Sequence, residues 1–296
     1  MMSAPIAARL SGERLHLRHG PIDLVIKADG VRAEVETAYA AAWSAFQNVL
    51  PALVEELALL RQPLSGTPPP VEGPVARRMV AACWPYRDVF ITPMAAVAGS
   101  VAEEILAAMI AAATLSRALV NNGGDIAIYL AGGECTTIGV VDRPDKPRLA
   151  GTLQLASTDR VGGVATSGWR GRSQSLGIAD AVTVLAATAA QADAAATIIA
   201  NAVDADHPAI RRLPARAVKH DSDLGDRLVT VAVGDLPDGI VQFALDQGAA
   251  SANTCRRRGL IAGAVLQLAG QVRVVGTVGR MIAPAQTIRQ QEVAVV

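Results

Sequence analysis

Aromatic side chains are scarce in this chain. Three Trp, three Tyr and three Phe make up 3% of 296 residues, too few for the stacking platforms that single-stranded nucleic acid requires. Charge of one sign is missing too: Lys plus Arg and Asp plus Glu each number 27, so no net field draws a polyanion or an anionic membrane. Cys83, Cys135 and Cys255 are odd in number and far apart, which argues against a disulfide framework and against a zinc site. The four histidines give no ligand spacing. No uninterrupted apolar run reaches about 18 residues, and the first twenty residues have no signal-peptide core. A soluble, cytoplasmic protein that binds neither nucleic acid nor membrane is expected. Walker-type lysine and strand–GxGxxG–helix patterns are also missing, so neither a P-loop nor a dinucleotide-binding parallel fold is supported.

What is abundant is alanine and short apolar segments; hydrophobic residues make up 51% of the chain. "RLHLRHGPIDLVIKADG" alternates around a Gly-Pro turn and reads as a hairpin that holds His16 and His19. Residues 31–61 have helical periodicity with a bend at Pro51. "QPLSGTPPPVEGP" is a stiff connector, and residues 63–74 mark a candidate subdomain boundary. "VARRMVAACW" is a short helix, and "FITPMAAVAGSVAEEIL" is an extended entry, a Thr92 N-cap and a Pro93-led helix. "ALVNNGGDIAIYLAGGECTTIGVVD" reads as three strands joined by turns. "GTLQLA" and "ADAVTVLAA" are further strands, followed by the helix "AAQADAAATIIANAV". Beyond "RLVTVAVGD" come a helical region and the strand "QVRVVGTV". Hairpin-joined strands among helices predict one α+β domain over residues 1–296, its mostly antiparallel sheet packed with alanine-rich helices. The Thr92 and Asp193 helices echo each other as an internal duplication would. Those helices serve equally well inside one core or across a homodimer.

Three constellations carry chemistry. Asp193 and Thr197 are four residues apart on a helix, hence on one face, and carboxylate plus hydroxyl is a hard-oxygen pair suited to Mg2+. The plainer alternative is that Asp193 favours a helix N-terminus and Thr197 bonds back to a carbonyl. "VATSGWRGRS" offers Thr166, Ser167, Gly168, Arg170 and Arg172, able to turn N–H groups, hydroxyls and guanidiniums toward one anion. Asn121, Asn122, Gly123, Gly124 and Asp125 form a turn before an apolar strand, where paired glycines permit close approach of a flat ligand; ordinary turns share that composition.

In order, "TPMAAVAG", "NNGGDIAI", "GVATSG" and "ADAVTVLAATAAQADAAAT" resemble the ApbE family of flavin transferases, and more closely an uncharacterised sister branch of that superfamily. The resemblance covers roughly residues 90–205. It implies that Gly123, Gly124 and Asp125 match a "GGD" turn beside the flavin nucleotide, with Asn122 flanking it. It further implies that Thr166, Ser167 and Gly168 match an "ATSG" turn, and that Asp193, Ala194 and Thr197 match the "D-A-x-x-T" magnesium helix. The implied reaction splits FAD, transfers FMN through its phosphate to a threonine of a target flavoprotein and releases AMP. Arg170 or Arg172 would steady the phosphates, and Asp125 or Asp180 is available as base. The chain departs from the family in one place. Of the usual "H-I-x-D-P-x-T-G" segment, "LGIADAVTVLA" keeps only Ile178 and Asp180, and Gly177 stands in the place of the histidine. Two other readings are therefore carried forward. One is a flavin carrier without transferase activity. The other is an enzyme on the same scaffold acting on a different phosphorylated or carboxylated metabolite.

Overall fold

The computed structural model describes residues 4–141, 149–276, 280–282 and 294–295. The chain opens with strands β1 (Ile6–Leu10), β2 (Arg14–His19) and β3 (Ile22–Asp29), then helices α1 (Arg32–Glu55), α2 (Leu57–Leu60) and α3 (Pro74–Cys83). A 3-10 turn, Pro93–Ala96, leads into α4 (Val97–Ala112). Strands β4 (Arg117–Asn122), β5 (Asp125–Leu130), β6 (Cys135–Val141), β7 (Leu149–Ala156), β8 (Gly163–Ser167) and β9 (Ala181–Ala186) follow, and then α5 (Ala189–Ala202). The remainder is β10 (Ile210–Pro214), α6 (Ala215–Val218), β11 (Leu228–Val233), α7 (Asp238–Arg257), β12 (Gly263–Leu268), β13 (Gln271–Gly276), β14 (Arg280–Ile282) and β15 (Ala294–Val295).

Nine strands form one sheet in the order β1-β2-β3-β4-β5-β8-β9-β12-β13, antiparallel at every pairing. A second sheet runs β14-β7-β6-β15, with β15 parallel to β6, and β10 and β11 form a separate ribbon. The α+β expectation therefore holds. Strand periodicity assigns the two faces of the large sheet. Ala118, Val120 and Ala127 join the core shared with α1, α3 and α4, while Ala165, Val182, Val184 and Leu266 join the one shared with α5 and α7. On the opposite face Leu119, Ile126, Ile128, Val164, Leu185 and Val265 meet Ile138, Val140, Leu153 and Leu155 of the second sheet. The result is three layers: helices, a large sheet and a small sheet.

Helix α5 starts hard against the backbones of its neighbours, and its buried positions Ala189, Ala190, Ala192, Ala194, Ala195 and Ala196 are all alanine. A Cβ on Gly163 of β8 would fall 2.2 Å from the Ala189 nitrogen, and one on Gly99 of α4 would fall 2.3 Å from the Ala189 carbonyl oxygen. Among the described residues, Pro93–Ala112 is apolar and long enough by composition to cross a bilayer. Here it is a packed core helix, with Ser100, Val101, Ile105 and Met109 buried and Glu103 and Glu104 both paired to Arg78.

Several expectations change. "GVATS" is strand β8 rather than loop, and β12 lies where only helix was expected before "QVRVVGTV"; Thr277 and Val278 of that string lie outside the described residues. Thr92 has extended backbone but does not cap; its hydroxyl donates to Asp223 Oδ2 at 2.5 Å. No strand leads directly into α4, whereas β9 leads into α5, so the two alanine-rich stretches differ in context. The connector at 63–74 has Leu60 and Val75 in one core on either side of it.

Candidate functional site

One end of the large sheet gathers most of the residues singled out above. The β4–β5 hairpin turns through Gly123 (φ +66°) and Gly124 (φ +114°), conformations that suit glycine, with Asn122 paired to Asp125 across it. The Gly124 N–H donates to Asn121 Oδ1 at 2.8 Å, which fixes the turn. The β5–β8 ladder ends at the pair Ile126–Val164. Just beyond it the Asp125 side chain replaces the missing strand acceptor, taking the Thr166 N–H at 3.1 Å. The Thr166 hydroxyl hydrogen-bonds to that of Thr183 at 2.8 Å. Ser167 is half-buried and Gly168 is buried.

Helix α5 begins at the Thr188 cap, whose hydroxyl accepts from the Gln191 N–H at 3.3 Å. Asp193, one turn in, reaches across to the start of α4 and accepts the Gly99 N–H at 3.0 Å, with Ala98 contributing a second N–H. These are free donors at a helix N-terminus, where a negative charge is favoured. Asn122 secures the same turn from the sheet by donating to the Ala98 carbonyl at 3.1 Å. The arrangement is reciprocal: Glu103 of α4 accepts the Ala190 N–H of α5 at 3.3 Å. The plainer reading of Asp193, as a helix-terminus carboxylate, thus applies to the neighbouring helix rather than to its own.

Those backbone donors do not neutralise the site. Burial pushes Asp125 up to about 7 against the opposing Thr166 N–H. Burial also raises Asp193 well above the ordinary carboxylate range, and the Asp125 charge raises it further. Two carboxyls thus share a desolvated corner, and among the described residues no basic side chain acts on either. The Cys83 thiol, raised by its own burial, also feels Asp193. Thr197 is half-buried, one turn beyond Asp193 on the same face, and its hydroxyl makes no hydrogen bond among the described residues. Asn201 continues that face; its Oδ1 accepts from the Leu176 N–H at 2.9 Å and the Ser175 hydroxyl at 3.2 Å, holding the loop after β8 over the helix.

The structure does not bring Asp180 into this group. Its Oδ1 accepts from Arg170 Nε at 2.5 Å and Trp169 Nε1 at 3.2 Å, and its Oδ2 from the Ala269 N–H at 2.7 Å. Arg170, counted beside Arg172 as a phosphate ligand, is committed to that ion pair. Gly177 explains the missing histidine sterically, since a Cβ there would stand 2.2 Å from the Ala200 carbonyl oxygen. Among the described residues, no group of three or more His, Cys, Asp or Glu is placed to hold a metal. A cation at Asp125 and Asp193 would have to draw further oxygens from Thr197, backbone or ligand. The Asp125–Asp193 proximity, the Ala98 and Gly99 N–H groups and the Asn122 anchor were invisible in sequence, because contacts between distant segments leave no local spacing.

A family model described as AbpE bacteria matches residues 7–274. A UPF0280 protein of Methanopyrus kandleri is 36% identical over 159 residues, which is 54% of this chain and 61% of that one. A UPF0280 protein of Methanothrix thermoacetophila is 38% identical over 134 residues, 45% of this chain and 54% of that one. The chain thus spans less than two thirds of the length of these relatives. Among solved structures, the ApbE protein of Thermotoga maritima superposes with a TM-score of 0.50 at 12% identity, covering 94% of this chain and 97% of that one, a likeness of fold.

Proposed function

The chain belongs to the family described as AbpE bacteria, and from that premise we propose that it binds a flavin nucleotide with Mg2+ and transfers FMN from FAD to a threonine of a target protein. The observation that carries this reading is the carboxyl pair Asp125 and Asp193, both raised by burial and Asp193 also by the Asp125 charge, beside the unengaged Thr197 hydroxyl. A hard-oxygen set short of positive charge fits a magnesium ion. Asp193 and Thr197 would hold it, with Asp125 adjacent. When bound, the ion would draw charge from the bridging phosphate oxygens and from the departing AMP.

The chain's own groups supply the rest. The Gly123–Gly124 turn leaves room for a flat ring or a phosphate against the backbone. The acceptor hydroxyl attacks the FMN phosphorus, the bond from that phosphorus to the AMP oxygen breaks, and AMP leaves as a phosphate. Of the two carboxylates open as base, Asp180 is taken by Arg170, so Asp125 is assigned the hydroxyl proton. The test is incubation with FAD, Mg2+ and a threonine-bearing acceptor, reading AMP release and covalently attached FMN. Turnover abolished in Asp193→Asn supports the reading; absence of any FAD binding by the wild type sinks it. The close packing at Gly177 favours a second reading, a flavin carrier or an enzyme with another substrate. Tight FAD binding without AMP release would favour the carrier.

A further inference from the structure

The two arginines of the loop after β8 have opposite surroundings. Arg170 is paired to Asp180, and its guanidinium lies 4.3 Å from the centroid of the Trp169 ring. Asp180 in turn holds Ala269 at the β12–β13 turn, so this cluster ties the loop to the sheet. Arg172 is exposed and has no carboxylate partner among the described residues. Its Nη1 lies 3.2 Å from where a Cβ on Gly123 would stand, directly over the glycine turn. Neither guanidinium is among the charges acting on Asp125 or Asp193. Among the described residues, one end of the sheet therefore carries a carboxylate pair with no basic side chain against it and, across the glycine turn, a guanidinium with no carboxylate partner. A single ligand that brings a metal ion and a phosphate satisfies both.

We infer that Arg172 is the residue that binds a phosphoryl oxygen of the ligand over the Gly123 turn, and that Arg170 is a positioning residue that presents the loop. This rests on the proposed function only in requiring a phosphate-bearing, metal-complexed ligand, and inorganic pyrophosphate with Mg2+ probes it without flavin. Calorimetric titration should show the wild type binding magnesium pyrophosphate. Arg172→Gln should weaken that binding roughly ten- to hundredfold, the range for a hydrogen bond to a charged group, with the melting temperature of the free protein unchanged. Arg172→Lys should recover part of the loss as a point charge. Arg170→Gln should lower the melting temperature and, in its folded range, keep most of the affinity. Pyrophosphate binding that is absent in the wild type or unchanged in Arg172→Gln overturns the inference, as does a large affinity loss in Arg170→Gln without loss of stability. If pyrophosphate binding depends on Arg172 while FAD fails to bind, the inference stands and the flavin reading falls.

Discussion

Two buried carboxylate sites lie within one region of this molecule, and they are solved in opposite ways. Asp180 has a guanidinium, an indole N–H and a backbone N–H, so its charge is compensated by the protein itself. Among the described residues, Asp125 and Asp193 have backbone N–H groups and each other but no basic side chain. Removing two like charges from water without a counter-ion costs several kcal/mol unless something neutralises them. A compensated buried carboxylate supports the architecture, whereas a pair without basic partners among the described residues holds protons more tightly. That contrast, rather than the identity of the residues, is what the proposed site rests on.

The contrast can be broken experimentally. The largest expected effect is functional: Asp193→Asn and Asp125→Asn should each abolish Mg2+-dependent turnover. Because they remove repulsion, both should melt at or above the wild-type temperature; a marked fall would mean the pair is scaffold after all. Next, Asp180→Asn should destabilise by about 3 kcal/mol, roughly 6–12 °C in melting temperature, because it strands Arg170. Denaturation that is insensitive to this change would erase the distinction from the other side. Third, pH should act on the uncompensated pair. Both members of the pair are held above the ordinary carboxylate value of about 4, Asp125 at about 7. Between those values the folded state keeps protons that the unfolded chain has lost. The Asp125 contribution to stability is full below about pH 4 and is lost as pH rises through about 7. The wild-type minus Asp125→Asn difference, measured by denaturant titration across that window, should show this slope, and saturating Mg2+ should flatten it. The smallest effect belongs to Thr197→Val. With no hydrogen bond to lose, its stability should stay within about 0.5 kcal/mol of wild type, while the Mg2+ concentration needed for half-maximal activity rises.

Much of the sheet was legible because hairpin strands alternate and their turns announce themselves, as at Gly20-Pro21 and Gly123-Gly124. What escaped was buried on both faces: β12, "GAVLQL", is buried at every position and so shows no period of two. Strand β8 hid for another reason, since its glycine and hydroxyl residues read as loop chemistry although Gly163 is there to admit α5. At the site, Asp193 and Thr197 were readable from their spacing on a helix. Their relation to Asp125 was not, because 67 residues lie between Asp125 and Asp193 and only the fold closes that gap. The two arginines were indistinguishable in sequence; Asp180, whose side chain could pair with either, decides between them.

The three glycines around α5 set a limit on how this protein can adapt to what it binds. Backbone touches backbone at Gly99, Gly163 and Gly177, so the rod that carries Asp193 and Thr197 has no slack to slide or roll at either end. Any adjustment to the proposed ligand would then fall to the segment bearing Arg172, anchored at Asn201 on one side and Trp169 on the other.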